Sequence, residues 1–61
     1  MSYNTVLHAL AAVTERPIAE VVASIKEEAA TRYDVSTSDP GWANVYKAIA
    51  VRRLQEATDD R

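Results

Sequence analysis

Sixty-one residues allow one domain, and a hydrophobic content of 48% with a formal charge of −2 describes a folded chain, not a disordered one. The absence of cysteine removes disulfides and thiolate zinc sites, and a single histidine, His8, leaves no His-based metal site within one chain. The mildly acidic balance predicts solubility and gives no general affinity for a polyanion, and no stretch approaches the roughly 18 apolar residues of a membrane span.

The first periodic segment is residues 3–15, YNTVLHALAAVTE, where Tyr3, Val6, Leu7, Leu10 and Val13 recur at helical spacing. Ser2 or Asn4 suits its N-cap. Pro17 disfavours helical geometry at Arg16, so this helix is expected to end near Thr14 or Glu15. Pro17 also suits the first position of a second helix, residues 17–33, whose apolar stripe is Ile18, Val21, Val22, Ile25 and Ala29. Glu20 lies near the positive end of its dipole, and Glu27 and Glu28 are spaced for surface pairing with Arg32. Residues 34–39, DVSTSD, read as a polar loop in which Ser38 or Asp39 caps a third helix opened by Pro40. That helix, residues 40–57, carries Trp42, Val45, Tyr46, Ile49, Ala50 and Leu54 on one face. Gly41 weakens its start, and the acidic tail ATDDR opposes the dipole at its end, so both ends are expected to fray.

Three helices joined by two short connections predict an all-α, three-helix bundle with a helix-turn-helix-like core, one domain over residues 1–61. Much of the apolar content is alanine, which favours helix but buries little area. A domain this small buries only about 60% of its unfolded surface, so a homodimer or a partner protein is one route to a complete core.

Nothing in the residues assembles a catalytic site. His8 falls beside the apolar stripe with no partner residue nearby, and the acidic pairs Glu27-Glu28 and Asp59-Asp60 point in divergent directions on a helix. A single glycine excludes a phosphate-cradling loop. The chain is read as non-enzymatic, with no cofactor and no metal, and as cytoplasmic.

Opposite the apolar face of the third helix lie Asn44, Lys47, Ala48, Val51 and Gln55, with Arg52 nearby. Amides, a lysine and small apolar groups are what a recognition helix presents to a major groove, and Arg52 and Arg53 suit phosphates, with Lys26 or Arg16 assisting. A plain solvent face explains the same residues. Arg53 stands in line with Trp42 on the apolar stripe, as a snorkelling side chain whose stem covers Trp42 or Tyr46, or as a partner of Asp34 or Glu56.

The segments VLHALAAVTERPIAEVVASIKEEA and WANVYKAIAVRRL are similar in order and spacing to the first helices of winged-helix DNA-binding domains, notably PadR-like regulators. The resemblance covers residues 5–55 and rests on the Val45-Tyr46 pair with Ile49 and Leu54. Where that family continues into a glycine and a two-stranded wing, this chain has Ala57-Thr58-Asp59-Asp60, so the expected form is a wingless trihelical core. The resemblance implies a DNA-binding or transcription-associated regulator acting through Asn44, Lys47, Val51, Arg52 and Gln55. The alternative is a protein-interaction or dimerisation module, antitoxin-like or of the phage-inhibitor type, using the same helix and the alanine faces.

Overall fold

The computed structural model describes residues 2–59, and the expected fraying at Asp60 and Arg61 lies outside them. Three helices follow in order: α1 (Tyr3–Thr14), α2 (Ile18–Tyr33) and α3 (Trp42–Thr58). All three pack against one another, α1 most extensively against α3, and the described residues contain no strand. The protein is therefore an all-α three-helix bundle. None of its helices is long and apolar enough to cross a membrane.

Local chemistry sets each boundary. Ser2 caps α1: its Oγ accepts from the Thr5 N–H at 3.3 Å and lies 2.9 Å from the Thr5 hydroxyl. The helix ends where Glu15 turns left-handed at φ 57°, which lets the Arg16 N–H close on the Ala11 carbonyl at 3.1 Å. Pro17 does not occupy the first helical position, because its extended ψ of 144° makes it the cap of α2. Its carbonyl accepts from the N–H groups of Glu20 and Val21 at 3.0 and 3.2 Å. The end of α2 repeats the pattern: Asp34 is left-handed at φ 55°, and the Val35 N–H returns to the Ala29 carbonyl at 3.0 Å. Val35 thereby folds back onto the core.

The α2–α3 loop corrects one expectation. Neither Ser38 nor Asp39 caps α3 with its side chain. The Asp39 carboxylate instead accepts from the Ser36 N–H at 2.8 Å, while the Asp39 N–H donates to the Ser36 carbonyl at 3.0 Å. This reciprocal pair closes a turn of its own, and α3 begins only at Trp42, whose N–H reaches the Asp39 carbonyl at 3.2 Å. Gly41 stands at the cap position with no side chain to contribute, and Pro40 precedes the helix without entering it.

The core is Val6, Leu7, Leu10, Val21, Ile25, Ala29, Tyr46, Ile49 and Ala50, with Ile25 and Val6 fully enclosed. Every one of these residues belongs to a stripe read from spacing, though not every stripe residue is covered. Val13 is the exception at 44% exposed, because periodicity assigns a face but does not extend the neighbouring helix to cover it. Tyr46 is the aromatic centre, with Trp42 edge-on at 5.0 Å between ring centroids and Tyr3 tilted at 6.2 Å. The radius of gyration is 11.2 Å, near the ~10.5 Å expected for a compact chain of this length.

Candidate functional site on the outer face of α3

Helical spacing brings Asn44, Lys47, Arg52 and Gln55 to the exposed side of α3. Val51 does not join them as expected. It is only partly exposed and packs against the core.

The two consecutive arginines converge on one carboxylate. Arg52 is bound to Glu28 Oε2, and Arg53 is bound through Nη2 to Glu28 Oε1, which also accepts from Arg53 Nε at 3.1 Å. Arg53 reaches further, donating from Nη1 to the Ser24 hydroxyl at 2.7 Å and from Nη2 to the Ser24 carbonyl at 3.5 Å. The expected partners of Arg53, Asp34 or Glu56, are therefore not the ones it takes. Its guanidinium is held across the α2–α3 interface, which a side chain snorkelling to water would not show. Likewise Glu28 turns to α3, where spacing within α2 had offered it Arg32. Its side chain is 13% exposed. The Arg53 hydrogen bond pulls its carboxyl below the ordinary value, burial opposes that, and the charge of Arg53 and the contact with Arg52 add to it.

The Tyr33 hydroxyl, and then Glu28, push the Arg52 guanidinium pKa above its ordinary value. The side chain nevertheless stays 43% exposed, so part of its five-donor fork faces solvent. Tyr33, the last residue of α2, is itself 47% exposed.

Between these groups runs an open groove of about 390 Å³, lined by Tyr33, Asn44, Val45, Ala48, Ile49 and Arg52. Its surface is almost wholly apolar. Two of the residues singled out from the sequence, Asn44 and Arg52, line it; Lys47 and Gln55 do not, although they share the exposed side of α3. Tyr33 was legible only as a helix exit, and its part in the groove depends on where α2 ends against α3. Glu28 carries no local signal at all, since its partners lie 24 and 25 residues away.

A second recess is lined by Leu10, Thr14, Arg16, Glu20, Val21, Ser24, Arg53 and Glu56. Within it Arg16 is paired with Glu20 at 2.5 Å and Arg53 with Ser24. His8 is exposed on α1. Among the described residues, no three His, Cys, Asp or Glu side chains gather in a way that would hold a metal ion. Compared with known proteins, the chain matches no family model, no curated protein and no solved structure.

Proposed function

We propose that this chain is a non-enzymatic protein-interaction module of the cytoplasm, which docks its partner on the outer face of α3 and the end of α2. The observation that carries the proposal is the apolar groove floored by Val45, Ala48 and Ile49 and bounded by the half-exposed Tyr33 and Arg52. Aromatic and arginine side chains beside an apolar floor are the groups that anchor protein interfaces.

A DNA-contacting role for the same helix is the second reading, favoured by Asn44, Lys47 and Gln55 standing exposed together. It ranks behind the first because Arg52 and Arg53, the residues suited to phosphates, are both engaged by Glu28, and Arg16 is paired with Glu20. Arginines already engaged by carboxylates release fewer counterions, and that release is a large source of affinity for a duplex. The resemblance to a wingless trihelical core accommodates either partner.

A photo-cross-linking amino acid at position 48 tests the choice in the cells that make the protein. Protein adducts at position 48, absent when the cross-linker replaces exposed His8, support the interaction module. Nucleic-acid adducts, with duplex binding that falls steeply as salt rises, would replace it with the DNA reading. A second copy of the chain is recognised in the same experiment by the mass of the adduct, and by solution mass across a dilution series.

A further inference from the structure

We draw no further inference here: the strongest candidate, the open apolar groove between the end of α2 and the outer face of α3, lined by Val45, Ala48 and Ile49, belongs to the site already described, and nothing in the structure shows what covers it.

Discussion

Arg53 on α3 and Glu28 on α2 form a two-pronged joint: Nε and Nη2 of the arginine both donate to Glu28 Oε1, the former at 3.1 Å. The other carboxylate oxygen is left for Arg52, so a single acid on α2 organises two consecutive residues of α3. The joint is partly withdrawn from water, with Arg53 at 27% and Glu28 at 13% side-chain exposure. It therefore holds more of its Coulomb energy than an exposed pair such as Arg16–Glu20.

Glu28→Gln is expected to lower the unfolding free energy by about 1–2 kcal/mol, because two guanidiniums lose their common acceptor. Glu27→Gln, on the exposed side of the same turn, should stay within about 0.5 kcal/mol of wild type. Urea denaturation measures both. Double-mutant cycles should give a larger coupling for Glu28 with Arg53 than with Arg52, as the Arg53 side chain is the less exposed of the two. Equal losses at positions 27 and 28 would remove the joint as a source of stability.

The same carboxylate sets a pH dependence. Arg53, chiefly by its hydrogen bond, lowers the Glu28 pKa in the folded chain, so as the medium is acidified the unfolded state takes up the proton first. The contribution is complete above the unfolded value of about 4.3 and is lost as pH falls through the lower folded value. Melting temperatures measured from pH 6 to pH 3 should drop more steeply for wild type than for Glu28→Gln, the two curves converging at the acid end. Parallel curves would mean that Glu28 does not contribute to the acid limb.

Left-handed backbone at Glu15 and Asp34 ends the first two helices with residues that carry a Cβ. An L-residue other than glycine pays roughly 1–2 kcal/mol for that conformation, and glycine offsets part of the gain through its greater unfolded freedom. Glu15→Gly should therefore raise stability by about 0.5–1 kcal/mol. Asp34→Gly should gain less, since aspartate visits this region more readily. Thermal unfolding of the two variants gives the order, and a loss at position 15 would show that the Glu15 side chain contributes more than its backbone costs.

Tyr3 keeps its hydroxyl buried with no hydrogen-bond partner among the described residues, and burial, reinforced by Tyr46, raises its pKa. Its ring meanwhile packs on Tyr46. Tyr3→Phe should preserve the ring contact, remove the stranded polar atom and raise stability by about 1 kcal/mol. Tyr3→Ala should instead cost about 2–3 kcal/mol through lost aromatic packing. If the phenylalanine variant is the less stable one in calorimetry, the hydroxyl contributes a stabilising interaction of its own.

The outer face of α3 was only partly legible. Asn44 and Arg52 follow from the helical wheel because a residue's face depends on its own position alone. Val51 lies on the same nominal face yet is drawn against the core, and Tyr33 enters the groove from another helix. A wheel drawn for one helix contains neither effect.

The sequence by itself determined that there are three helices and, with Val13 excepted, which residues enter the core. Both follow from local rules, the spacing of apolar side chains and the geometry that Pro17 and the Asp34–Asp39 turn impose. Only the tertiary structure decided the electrostatics. Within α2 the spacing offered Glu28 to Arg32, but packing α3 alongside places Arg52 and Arg53 against it. Coulomb and hydrogen-bond energies depend on distance in space and on loss of water, and neither is fixed until the helices have docked.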